Sequence, residues 1–221
     1  MFDGVAATHA YQAATYAVRG SSASFPKEEN MHKIIGFAGL RTAGKDTAAS
    51  VLIDHGWARV PLAGPLKAMV RALLMERGCP PSQVMRYTDG DLKEAPCNML
   101  SGFSPRHIMQ TLGTDWARQQ LHSDFWLHSF DDAVAHNQSL GKDIVVTDVR
   151  FQNEVDHVKK LGGVVWRVNR PEVTAEAIKA RVSGTLHESE AKVLDLTGVL
   201  ELHNDHHSAA AFMVAVERQF F

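Results

Sequence analysis

An α/β domain organised on a strand–loop–helix unit is the fold class this sequence predicts, and three observations predict it. An apolar run, Ile34-Ile35-Gly36-Phe37-Ala38, ends in a glycine-bracketed segment from Gly39 to Gly44, and a helix-compatible run from Ala48 to His55 follows. A second apolar, β-branched run, Ile144 to Thr147, ends in the carboxylate of Asp148. At 221 residues, 45% hydrophobic and 22% charged, the chain is long enough to bury a substantial core in one such domain.

The first unit is the most informative. Gly39 and Gly44 permit backbone angles that turn successive N–H groups to one concave side. There, at a helix N-terminus, they can cradle phosphate oxygens, and Lys45 can reach the outer phosphates. The match to G-x-x-x-x-G-K-[ST] is incomplete, because Asp46 takes the hydroxyl position and Thr47 follows it. A Gly-Lys-x-Thr order is typical of nucleoside monophosphate kinases. Gly39, Arg41, Ala43, Gly44, Lys45, Asp46 and Thr47 are therefore the candidate contacts to a nucleoside triphosphate, within a P-loop NTPase fold. The competing reading is a glycine-rich turn bearing one surface lysine.

Composition narrows the setting. A formal charge of −2 gives no global attraction to nucleic acid or an acidic membrane, so any basic site must be local. Cys79 and Cys97 lie far apart without metal-ligand spacing and read as free thiols. No apolar run approaches the ~20 residues of a membrane span. Asp3 sits where a signal peptide would be basic. A soluble, cytoplasmic protein is expected, with no nucleic-acid or membrane partner.

Along the chain, alanines between Gly4 and Val18 favour a helix, and 20–30 reads as a linker. Met31 stands just before the first strand, so 1–30 reads as an extension to a domain spanning 31–221, with Met31 a candidate start and an accessory docking helix the alternative. Asp46 to His55 predicts the first helix, Trp57 to Ala63 a short strand, and Leu66 to Arg77 a helix ended by Pro80-Pro81. The segment from Tyr87 to Pro96 is polar and expected to be partly exposed. Ser104-Pro105 is a good helix start, and a helix from there places Arg106 and Gln110 on one face. Arg118 joins that face only if the helix continues through Gly113.

Asp148, at a strand end, is a candidate holder of Mg²⁺, directly or through water. A helix to Lys160, a strand Val164 to Val168, a final strand Val199 to His203 and a terminal helix capped by Ser208 complete the pattern. Residues 170–190 are polar and carry Arg181, as a mobile lid would, although an ordinary surface helix over Thr174 to Val182 fits equally. The histidines 203, 206 and 207 read as a solvated turn, not a metal site.

Several segments together resemble the deoxynucleoside monophosphate kinases of tailed bacteriophages. They are Gly-Lys-Asp-Thr at 44–47, Pro-Leu-Lys at 65–67, Arg-x-x-x-Gln-x-x-Gly-Thr-Asp-x-x-Arg at 106–118, Asp-Val-Arg-Phe-Gln-Asn-Glu at 148–154 and His-x-Ser-Glu at 187–190. Asn-Asp after the last strand also fits, while Gly64 and His206 depart from the pattern. The resemblance covers about residue 33 to the end. It implies a parallel-sheet core flanked by helices, a helical monophosphate-binding insertion over 64–130, and a lid. It implies transfer of the γ-phosphoryl group of ATP to a deoxynucleoside monophosphate, with Mg²⁺ held by Thr47 and Asp148. Lys45, Arg150, Arg170 and Arg181 would act on the transferring phosphates. Lys67, Arg106, Gln110, Asp115, Arg118 and Glu154 would face the acceptor, and Asn204 the adenine.

A homodimer is one expected assembly, in a host cytoplasm if the gene is a phage's. Two alternatives follow from the same residues: a kinase for another phosphate-bearing acceptor, such as dephospho-coenzyme A or a ribonucleotide, or an ATP-dependent switch without catalysis.

Overall fold

The computed structural model describes residues 33–221, so the expected helix near the N-terminus and the candidate start at Met31 lie outside the described residues. Five strands form one sheet in the order β2-β3-β1-β4-β5, every neighbouring pair parallel. They are β1 (Ile34–Ala38), β2 (Ala58–Arg59), β3 (Ile144–Val149), β4 (Val164–Asn169) and β5 (Leu200–His203). All five residues of β1 are buried, which explains why it reads as a continuous apolar run without alternation. Parallel pairing of β1 with β3 sets Ile34 opposite Ile144 and Ala38 opposite Val149. The carboxyl ends of the two central strands therefore lie side by side. The loop after β1 and the Asp148-Val149-Arg150 segment become neighbours at the edge where open α/β sheets bind ligands.

β2 is much shorter than the strand expected over Trp57 to Ala63. Pro61 has no N–H for a ladder, and the next two amides, of Leu62 and Ala63, turn instead to the Asp148 carboxylate at 2.9 Å each. The chain leaves the sheet to satisfy a buried-edge acid.

Between β2 and β3 the chain is helical: α2 (Gly64–Glu76), α3 (Pro81–Thr88), α4 (Pro105–Gln110) and α5 (Leu127–Ser139), with 3₁₀ turns at Asp91–Glu94 and Asn98–Leu100. α2 ends before the prolines, at a left-handed Gly78 (φ 80°), and Pro80-Pro81 instead starts α3, since proline suits a first helical turn. α3 draws Tyr87 and Thr88 into the interior, contrary to the exposure expected from a polar stretch. Helix α4 does continue past Gly113, as a π-helix over Thr111–Leu121. At Gly113 a Cβ would sit 2.9 Å from the Leu66 side-chain methyl, so α2 and the π-helix approach closely here. This region has its own apolar centre, including Val70, Leu74, Tyr87, Met109 and Trp126, in which both free cysteines are buried.

The remaining helices are α1 (Lys45–Asp54), α6 (Gln152–Lys160), α7 (Pro171–Val182), α8 (Glu188–Leu194) and α9 (Ala209–Phe220). α9 packs beside α1 and turns Phe212 and Val216 inward, while Phe220 meets Phe37 and Trp166 edge-on. Residues 170–190 hold a regular helix, α7, and the turn into α8. Among the described residues no helix is long and apolar enough to cross a membrane.

Candidate active site

The glycine loop is shaped by three left-handed backbone positions, Gly39 (φ 146°), Thr42 (φ 64°) and Gly44 (φ 111°). At Gly44 a Cβ would lie 2.6 Å from the Asn204 amide, so glycine is required both by conformation and by close approach. The Asn204 side chain donates to the Ala43 carbonyl at 2.8 Å and, being buried, braces the loop from behind. α1 then starts at Lys45, which points its N-terminus at the loop.

Lys45 is buried, and its ammonium donates to the Leu40 carbonyl across the loop at 2.6 Å. Burial, with the Arg150 guanidinium beside it, pulls its pKa down to about 8. Asp148 lines the same cleft with both oxygens accepting amides, and Arg150 follows two residues later. Arg150 is held by Glu190 and by Ser189, both on α8. The other Glu190 oxygen accepts the Arg41 amide of the loop at 2.9 Å. Burial alone would raise the Glu190 pKa. The Arg150 charge and the Arg41 amide outweigh that and hold it below its ordinary value. One buried carboxylate thus ties the loop, the end of β3 and α8 together.

A cleft of about 270 Å³ opens over this floor, and its opposite wall comes from the helical region. Arg106 and Gln110 on α4, and Arg118 on the π-helix, all line it, so the continuation through Gly113 puts Arg118 on the face with the other two. Arg118 is locked by Glu154, and its guanidinium stacks 4.2 Å above the Phe151 ring. Glu154, the third residue of α6, also accepts the amides of Arg150 (2.6 Å) and Phe151 (3.0 Å). Glu94 reaches across the mouth to Arg41 at 3.2 Å and to Arg106 at 2.5 Å. Lys67 pairs with Asp89 at 2.8 Å, and Arg71 reaches the same carboxylate at 2.6 Å.

The cleft therefore gathers Arg41, Lys45, Asp46, Lys67, Arg106, Gln110, Arg118, Asp148, Arg150 and Glu154 from the residues singled out in the sequence. Others lie elsewhere. Gly39 and Arg181 border a second cavity beyond the loop, and Arg181 is fixed to Asp195 at 2.8 Å and 3.0 Å. Arg170 pairs with the adjacent Glu172. Asp115 is exposed and does not line the cleft; nine residues from Arg106, it falls on the opposite face of the helix. Ala43 and Asn204 shape the loop from beneath, and Thr47 does not line the cleft. Lys93 and Glu94 belong to no motif, and Glu190 belongs to one that assigns it no role. Lys93 and Glu94 sat in a stretch read only as polar, and the His-x-Ser-Glu segment drew attention without a role for its glutamate.

The donor set bears on a divalent cation. Each Asp148 oxygen accepts one amide and keeps a second lone pair, so this carboxylate at the cleft fits a divalent cation held directly or through water. The carboxylates of Glu154 and Glu190 are committed to arginines.

The chain is 34% identical over 155 residues to a protein of Acanthamoeba polyphaga mimivirus, provisionally named a deoxynucleotide monophosphate kinase; the match covers 65% of this chain and 77% of that one. Among solved structures, a Thermus thermophilus protein is 17% identical with a TM-score of 0.43, covering 86% of this chain and 100% of that chain. Dephospho-CoA kinase from Campylobacter jejuni is 14% identical with a TM-score of 0.43, covering 85% and 96%. At those levels the two structures bear on neither substrate nor mechanism. The bacteriophage origin suggested by the motifs is narrower than these relatives support, since the viral sequence comes from a mimivirus. Residues 81–185, which carry the helical wall and Asp148–Arg150, match the family described as deoxynucleotide monophosphate kinase, and with the mimivirus relative they show that the chain belongs to that family.

Proposed function

We propose that the protein transfers the γ-phosphoryl group of ATP to the 5′-phosphate of a deoxynucleoside monophosphate, giving ADP and a deoxynucleoside diphosphate in the cytoplasm. The observation that carries this reading is the meeting of two cationic walls in one cleft. Lys45 and Arg150 stand on the loop side, and Arg106, Gln110 and Arg118 stand opposite.

Two anionic nucleotides must approach to bonding distance although the chain carries a net charge of −2. Their repulsion has to be cancelled locally, and positioned cations with preorganised amides do so. The loop amides and Lys45 hold the donor's outer phosphates. Arg150, braced by Glu190, stabilises charge that develops on the transferring group. An attacking phosphate oxygen is already an anion, so no strong base is needed. Asp148 would hold Mg²⁺, directly or through water, and that ion, when bound, would neutralise charge on the donor's phosphates. Residues 170–190 would close over the donor, with Ser189 and Glu190 already at the cleft.

The acceptor assignment is tested by Arg106→Ala. Arg106 is exposed only at its edge and makes one ion pair, to a half-exposed Glu94, so the fold should tolerate the change. The KM for the monophosphate is expected to rise by about 10- to 100-fold, as for a lost charge-assisted hydrogen bond, with the KM for ATP nearly unchanged. A variant in which only the ATP KM rises would contradict the assignment.

A further inference from the structure

The cationic side chains of this cleft are nearly all neutralised within the protein. Arg41 and Arg106 share Glu94, Arg59 pairs with Asp46, Lys67 with Asp89, Arg118 with Glu154 and Arg150 with Glu190. Lys45 is capped by a backbone carbonyl. Among the described residues that line the cleft, Lys93 is the one cation whose side chain has neither an ion pair nor a hydrogen bond. It lies in the 3₁₀ turn Asp91–Glu94, half-buried, between the end of α3 and the start of α4.

Its surroundings make the lack of a partner costly. Burial acts first, and Lys67, Arg106 and Arg150 add repulsion that the nearby Asp89 carboxylate only partly offsets. Together they lower its pKa to about 8. Asp89 is the one carboxylate that favours a charge here, and it is already shared by Lys67 and Arg71. A polar, non-ionic side chain in the same turn would avoid both penalties, so the ammonium is a destabilising feature facing a cavity. Such features are retained where function needs them.

We propose that Lys93 is a direct ligand of the acceptor's phosphate, in the cleft it lines together with Lys67, Arg106 and Arg150. This rests on the phosphotransfer reading above and deepens it. Of these four cations Lys93 alone has no carboxylate partner, and the counter-charge it lacks is an anion such as a 5′-phosphate monoester. The acceptor oxygen that attacks would be bound at the boundary between the two walls, close to the loop. Arg106 is free to contribute once its bond to Glu94 yields, whereas Lys93 needs to break nothing.

The test compares wild type with Lys93→Met, which keeps the aliphatic stem, and Lys93→Arg, which keeps the charge. Acceptor and ATP are varied separately in turnover assays. In parallel, calorimetry measures binding of a deoxynucleoside monophosphate without ATP. For Lys93→Met the acceptor KM and Kd are expected to rise by about 10- to 100-fold, as for a lost bond to a charged group, with the ATP KM changed by less than about twofold. Its melting temperature should equal or exceed that of wild type, because a repelled, partly buried charge has been removed, and Lys93→Arg should recover most of the affinity. Unchanged acceptor affinity in Lys93→Met would overturn the assignment, and so would a lowered melting temperature, which marks a structural residue. If wild type binds the monophosphate and Lys93→Met does not, yet neither turns over, the ligand assignment stands and the phosphotransfer reading falls.

Discussion

Lys45→Met is expected to lower turnover by about a thousandfold, the scale of removing one preorganised electrostatic contact to developing charge. The stem of Lys45 packs against the Gly39 backbone, and methionine preserves that packing. Its ammonium contributes one hydrogen bond, to the Leu40 carbonyl, and carries a desolvation cost, so the melting temperature should change little. The same lysine imposes a pH signature. Its proton is held only below about 8 in the folded protein, so kcat/KM for ATP, measured with saturating acceptor, should fall as pH rises through about 8. Lys45→Met should lose that limb. Stability should move the other way: the unfolded chain keeps this proton to about 10.5, so the folded state gains stability between about pH 8 and 10.5 as the mismatch disappears. Denaturant titrations at pH 7.5 and pH 9.5 on wild type and Lys45→Met would show the gain only in wild type's Lys45 contribution.

The largest effect on stability is expected at Glu154. Its side chain is buried and satisfies three donors from two directions, the Arg118 guanidinium and the amides of Arg150 and Phe151. Glu154→Ala would leave Arg118 as an unpaired, mostly buried charge and two amides without an acceptor. A loss of about 3–5 kcal/mol is expected, measurable by chemical denaturation. Glu154→Gln keeps the shape and one acceptor, and should cost less. Because the two amides flank the turn that presents Arg150, either variant should also reduce kcat. A Glu154→Ala protein as stable as wild type would show that the carboxylate is not what holds this corner.

Much of the fold was legible for a simple physical reason: a parallel sheet buries its central strands on both faces. Ile34 to Ala38 and the run ending at Asp148 read as strands from composition alone, the second extending in the structure to Val149, and the glycines 39 and 44 mark the loop. Reading failed where one residue serves two elements or where a tertiary partner overrides local preference. Pro80-Pro81 reads as a helix stop but starts α3, while Gly78 ends α2, so the sequence does not show α3 and places Tyr87 nearer the surface. Asp148 captures the Leu62 and Ala63 amides, a contact spanning more than eighty positions that shortens β2 and that no local pattern encodes. The site divides along the same line. Lys45, Arg106, Gln110, Arg118 and Arg150 follow motif spacing and meet in the cleft, whereas Glu94, Glu190 and Lys93 gain meaning only from which charges surround them. Arg170 and Arg181 illustrate the converse: a plausible position along the chain, but side chains that pair with Glu172 and Asp195 and do not line the cleft.

The most direct measurement is product identification with ATP, Mg²⁺ and a panel of acceptors: deoxyribonucleoside monophosphates, ribonucleoside monophosphates and dephospho-coenzyme A. The account predicts ADP formed together with a deoxynucleoside diphosphate, one for one. ADP released without a phosphorylated acceptor, or a phosphorylated product only from dephospho-coenzyme A, would contradict it.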